Sequence, residues 1–150
     1  MIFPYSSIVA PAPDGDDYIL VRRPEIPITI VGPAGSGTYI GLVDTGSDNT
    51  ILPVSIANDL GIVLETVQGA TATVFGGHRV QLLMGQAALK LEADSGESVE
   101  WKTHLFFFEF AAQEHEAVIL GHSGFLDYFA ATFDGHHCTV NLVANADLPQ

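Results

Sequence analysis

The chain has 150 residues, 47% of them apolar, which suits one globular domain with a proper core and excludes a disordered chain. Its formal net charge of −13, with only five Lys and Arg, argues against a nucleic-acid partner and against an anionic membrane surface, since both need a cationic face. Cys138 is alone, so no intrachain disulfide forms. The start, Met1-Ile2-Phe3-Pro4-Tyr5, lacks the marks of an export signal and no apolar run is long enough to span a bilayer, so the expected location is cytoplasmic.

Residues 1–23 read as an irregular leader. Pro4, Pro11 and Pro13 interrupt it, and Asp14-Gly15-Asp16-Asp17 marks a turn before a short strand candidate at Tyr18–Val21. Ile26 to Val31 alternates and is β-branched, which predicts a strand. Gly32-Pro33-Ala34-Gly35-Ser36-Gly37 predicts a hairpin connection, and Thr38–Val43 the returning strand. These glycines do not form a nucleotide loop: the dinucleotide spacing is absent, no Lys follows, and a strand follows instead of a helix.

The returning strand delivers Asp44 into Leu42-Val43-Asp44-Thr45-Gly46-Ser47. An acid at the end of a buried strand is costly to hide without partners. Gly46 permits a sharp turn and a close backbone approach, while Thr45 and Ser47 supply hydroxyls that orient a carboxylate. A working carboxylate and an ordinary Asp-Thr-Gly β-turn are both consistent with these six residues taken alone.

Pro53 and Gly61 bracket a helix over Val54–Leu60. Thr71–Val74 and Arg79–Leu83 predict two arms of a hairpin with Phe75-Gly76-Gly77-His78 at its tip, suited to a flap over a cleft or to a plain surface hairpin. Val99 to Phe110 predicts one or two aromatic-rich strands, and Ala117–Leu120 a short buried strand. Phe125, Tyr128 and Phe129 fall on one face of a short helix, a closing hairpin begins at Thr132, and Cys138–Val143 is the last strand, with Cys138 a core residue rather than a nucleophile. Residues 144–150 read as a loose tail.

Taken together, these motifs resemble retropepsin-type aspartic proteases, and more closely the bacterial chains of that type. Pro24-Glu25-Ile26-Pro27 with its hairpin resembles the family's opening strands, and Leu42–Ser47 its catalytic loop. Ile51-Leu52-Pro53 resembles the segment after that loop, and Phe75-Gly76-Gly77 the flap tip. Val118-Ile119-Leu120-Gly121 followed by Gly124–Asp127 resembles the element that packs beneath the catalytic loop and leads to a short helix. The resemblance spans residues 24–143 and leaves 1–23 unexplained. It implies an all-β, retropepsin-like closed β-barrel with a flap hairpin and one short C-terminal helix.

The resemblance also implies an endopeptidase acting on a peptide or protein substrate, with no cofactor and no metal. The chain has one Asp-Thr-Gly, so a site with two facing carboxylates requires a homodimer. Asp44, Thr45 and Gly46 take the catalytic positions. Leu42, Asp48, Val74, Phe75, Gly76, Gly77 and Leu120 take the substrate-binding ones. Two departures from the retroviral pattern stand out: His122 replaces the usual Arg after Ile-Leu-Gly, which suggests an Asp48–His122 interaction or an exposed histidine, and Ser47 replaces the usual Ala. Two competing readings are a non-hydrolytic peptide-binding or dimerisation module of the same fold, and a metalloprotein built on His115, Glu116, His122, His136 and His137. The spacing of that second set fits no compact metal signature.

Overall fold

The computed structural model describes residues 1–15, 17–73, 79–110 and 116–149. Strands dominate: β1 (Ile2–Pro4), β2 (Ser6–Pro11), β3 (Tyr18–Arg23), β4 (Glu25–Gly32), β5 (Gly35–Val43) and β6 (Ile51–Pro53) precede α1 (Val54–Leu60). After α1 come β7 (Glu65–Thr73), β8 (Arg79–Glu92), β9 (Ser98–Phe108), β10 (Val118–Leu120), β11 (Phe129–Asp134) and β12 (Thr139–Ala144).

The period-2 pattern of the long strands sets the architecture. On β4, Ile26, Ile28 and Ile30 turn inward and are almost fully buried, while Pro27 faces out. On β9, Trp101, Leu105 and Phe107 do the same. Hydrogen bonding runs β4-β5-β10-β6-β9-β8, and β8 then returns to β4 through Thr29↔Lys90, Ile30↔Leu89 and Val31↔Ala88. The result is a closed six-stranded barrel, which removes the exposed edges of an open sheet. β7 adds to β8 outside the closed ring, and Gln81 pins the irregularity in their register by donating to the carbonyls of Val67 and Ala70 at 3.1 and 2.9 Å. α1 buries Ile56, Ala57 and Leu60 against the barrel and ends at Gly61, whose φ of 67° is the left-handed conformation that glycine adopts without strain.

Several expectations need correction. The leader is not irregular. β1 pairs with β12, anchored by buried Phe3, and β2 pairs with β3 through six residue pairs from Ser6↔Arg23 to Pro11↔Tyr18. Pro4 and Pro11 sit at strand ends, where a missing N–H costs little, and Pro13 lies in the turn between β2 and β3. The C-terminal helix is only one 3-10 turn, Leu126–Tyr128. Its aromatic residues gather around Trp101 instead of along a helix face. Phe125, Tyr128 and Phe129 lie 5.9, 6.5 and 5.3 Å from the Trp101 ring, and the indole N–H donates to the Gly124 carbonyl at 3.1 Å. The tail is tied down: the Asn145 side chain donates to the Asp127 carbonyl at 2.8 Å, and Leu148 packs against the core. Cys138 lies in the turn before β12 with φ of 54°, not in the strand. No helix among the described residues is long and apolar enough to cross a membrane.

Candidate active site

Asp44 is the first residue beyond β5, and the strand end is held from both sides. The Val43 amide donates to the Pro24 carbonyl at 2.9 Å, and the Asp44 amide donates to the Leu120 carbonyl at 3.0 Å. The chain then turns tightly, and the Ser47 amide returns to the Asp44 carbonyl at 3.3 Å. Inside this turn the Gly46 N–H donates to Asp44 Oδ1 at 2.9 Å. A backbone donor on a carboxylate is a charge-assisted bond that fixes the acid's orientation. Asp44 is half-buried, whereas Thr45, Gly46 and Asp48 are exposed.

The segment after β10 supports this loop from below. His122 and Ser123 donate their amides to the carbonyls of Ser47 and Asp48, both at 2.9 Å, and the Thr50 amide donates to the Ser123 carbonyl at 2.9 Å. Asn49 and Ser123 form a parallel bridge, and the Ser47 hydroxyl donates to the Asn49 carbonyl at 2.7 Å. The crossing is tight at Gly121. A Cβ there would stand 2.2 Å from the Asn49 carbonyl oxygen and 2.6 Å from that of Ser47.

His122 is aimed elsewhere than at Asp48. Its Nε2 lies 3.2 Å from the Thr45 carbonyl oxygen, and its Nδ1 lies 3.7 Å from Asp127 Oδ1. The 3-10 turn accounts for this choice, because the Asp127 amide donates to the His122 carbonyl at 3.0 Å and brings that carboxylate alongside the ring.

Leu42 lines a cavity of ≈ 270 Å³ together with Ile40 and Ile119, with Arg23, Glu25 and Glu116 as its polar walls. Arg23 Nε lies 3.1 Å from Glu25 Oε1, Glu25 also accepts the Ser6 hydroxyl, and Glu116 accepts the Ser55 hydroxyl at 2.7 Å. Leu120 is not a wall of this cavity: it is fully buried in the core, where its side chain packs against Gly41. Strand alternation on β10 buries Val118 and Leu120 and leaves Ile119 more open to the cavity, which Val118 also borders. Sequence reasoning missed Ile119, Arg23, Glu25 and Glu116 as lining residues. The alternation of residues 118–120 carried the signal for the first of these.

Val74, Phe75, Gly76 and Gly77 lie outside the described residues, as does His115. The arms that carry them are paired as expected up to Thr73↔Arg79. Among the described residues no three His, Cys, Asp or Glu side chains gather as a metal-holding group. His136 and His137 instead serve the β11–β12 turn, where both amides donate to Asp134 Oδ1 at 2.9 Å and His137 Nδ1 lies 2.7 Å from Asp134 Oδ2.

No protein-family model matches this chain, and no curated protein matches its sequence. Among solved structures it is similar to EIAV protease complexed with the inhibitor HBY-793, at 22% sequence identity and a TM-score of 0.46, over 66% of this chain and 81% of that one.

Proposed function

We propose that this chain is an aspartic endopeptidase of the retropepsin type, active as a homodimer in which two copies of Asp44 face one another. One observation carries the reading. A half-buried carboxylate at the open end of a core strand is oriented by the Gly46 N–H, two residues beyond Leu42, which walls a cavity with Ile119. The sequence resemblance across residues 24–143 supports it.

The chemistry follows from the pairing. Two carboxylates at close range do not both ionise, so they share one proton. The ionised member takes a proton from a water held between them, and that water attacks the scissile carbonyl. The protonated member donates to the carbonyl oxygen and stabilises the oxyanion of the tetrahedral intermediate. The Gly46 amide keeps each carboxylate aimed, and the Thr45 hydroxyls brace the two loops. The substrate binds extended, with alternate side chains entering cavities such as the one beside Leu42. Val74, Phe75, Gly76 and Gly77, with Asp48, take the substrate-contacting roles that the sequence resemblance implies.

The test is cleavage of a mixed peptide library from about pH 3 to about pH 7, where a coupled carboxylate pair titrates. The wild type is run beside Asp44→Asn at several protein concentrations. Acid-favoured cutting that is absent in the variant and rises faster than linearly with concentration is the expected result. A folded dimer that cuts nothing at any pH would favour a peptide-binding module instead.

A further inference from the structure

The ribbon formed by β2 and β3 has no use in the barrel. Among the described residues it pairs with no other strand, and none of its apolar side chains belongs to the core. The register puts Ile8, Ala10, Ile19 and Val21 on one face, and Val9, Pro11, Tyr18 and Leu20 on the other. Both faces are therefore apolar, and Val9 and Tyr18 are 70% and 71% exposed. A lone two-stranded ribbon is marginal in water, and contiguous exposed apolar surface marks an interaction site.

The root of the ribbon lies where Asp44 emerges. β3 leads through Pro24, whose carbonyl accepts the Val43 amide, into β4, whose first residue, Glu25, pairs with Leu42. Because β4 and β5 are antiparallel, the ribbon leaves the barrel at the end that carries Asp44.

We propose that this ribbon is a dimerisation arm that lies against the matching arm and barrel end of a second copy of the chain. The proposal rests on the dimeric reading of the site and names the surface that makes the dimer. Size is one argument for a second copy. A ribbon of six residue pairs is about 20 Å long and about 10 Å wide, so its two faces offer about 400 Å². One arm falls short of the about 800 Å² per partner of a typical stable interface, whereas a reciprocal exchange, in which each copy buries both faces of its own arm and about 200 Å² of barrel end beneath its partner's, reaches about 600 Å² per partner, the lower end of the range for specific interfaces.

Charge is the other argument. The root carries Arg22 and Arg23, two of only five Lys and Arg in the chain, and the tip carries Asp14 and Asp17. Arg23 is paired with Glu25, but Arg22 is exposed and has no carboxylate partner among the described residues. Within one arm Asp17 and Arg22 are roughly 16 Å apart and do not meet. Two arms packed antiparallel about a twofold axis bring each acidic tip to the other's basic root, so the surface is complementary to itself.

Sedimentation of the full chain tests this, with hydrogen exchange as a second measurement. Val9→Asp with Leu20→Asp is expected to raise the dimer dissociation constant by more than about tenfold, and Arg22→Asp to weaken the dimer as well. Adding Asp17→Arg to Arg22→Asp restores it, whereas adding a charge reversal of the same sign outside the arm, Asp94→Arg, does not, which separates contact between two arms from relief of general repulsion. Trp101 fluorescence, from the core, reports that each variant is folded. Amides of residues 6–11 and 18–23 gain protection as wild-type concentration rises. A wild type that stays monomeric, variants that dimerise as tightly as wild type, or arm protection independent of concentration would each overturn the proposal; the last means that the arm covers its own barrel. Failure of the catalytic reading looks different: the arm-dependent dimer forms but cuts no peptide.

Discussion

The amide of Asp44 donates to the carbonyl oxygen of Leu120 at 3.0 Å, and the next residue, Gly121, has no room for a side chain. The strand that carries the acid and the strand beneath it are thus joined where the backbone of the loop from Asp44 to Thr50 passes closest. That crossing, more than any side-chain contact, fixes where the carboxylate stands.

Gly121→Ala is therefore expected to be severe. The new Cβ meets backbone oxygens of Asn49 and Ser47 at 2.2 and 2.6 Å, and backbone does not swing aside as a flexible side chain does. A loss of about 3 kcal/mol or more of unfolding free energy is expected in denaturant titration. Gly135→Ala, where a Cβ meets nothing within 4 Å, is the control and should stay within about 0.5 kcal/mol of wild type.

Gly46→Ala should separate positioning from stability. Its Cβ would lie 3.2 Å from Asp44 Oδ1 at an exposed turn, so the carboxylate must shift while the core is untouched. Under the proposed function, peptide cleavage should fall severalfold to about tenfold, because the carboxylate gives way by a few tenths of an ångström where about 1 Å of misplacement at a reacting group costs up to about a hundredfold. The melting temperature should barely move. Equal loss of activity and stability would mean that the turn is a structural element only.

The barrel was legible in the sequence because its long strands alternate cleanly and its helix has both stops, Pro53 and Gly61. The turn at Asp44 was legible because an apolar strand stops at Asp44-Thr45-Gly46-Ser47, residues that suit a tight turn, while its chemistry stayed open between a working carboxylate and an ordinary β-turn. The leader was not. Its prolines read as breakers, yet Pro4 and Pro11 sit at strand ends and Phe3 anchors β1. The aromatic run at residues 125–129 read as a helix because i, i+3, i+4 spacing also suits residues that converge on a single ring, here Trp101. Leu120 was expected to be a pocket wall, yet it is buried and Ile119 lines the cavity instead, because a three-residue strand leaves its facing undecided until its neighbours are known.

Trp101→Phe tests that convergence. The change keeps an aromatic ring but removes the N–H that reaches the Gly124 carbonyl at 3.1 Å and leaves a void among Phe125, Tyr128 and Phe129. A loss of about 2 to 4 kcal/mol is expected by denaturant titration, from the cavity together with an orphaned buried acceptor. A loss under about 1 kcal/mol would show that the aromatic group repacks freely.

The β11–β12 turn should make stability depend on acid. The Asp134 carboxyl is held below its ordinary value of 3.8, first by the His137 amide, then by the His137 side chain, with the His136 amide adding to both. A carboxylate favoured in the folded state contributes stability that is fully present above the unfolded value and is lost as pH falls through the depressed folded value. The contribution should therefore be intact from neutral pH down to about pH 4 and fade below it. Asp134→Asn keeps an oxygen for the two amides but never carries the charge. The gap in melting temperature between wild type and this variant should be widest above about pH 4 and close on further acidification. A gap that stays constant through that range would mean that the carboxylate's charge contributes nothing to the turn and only its shape matters.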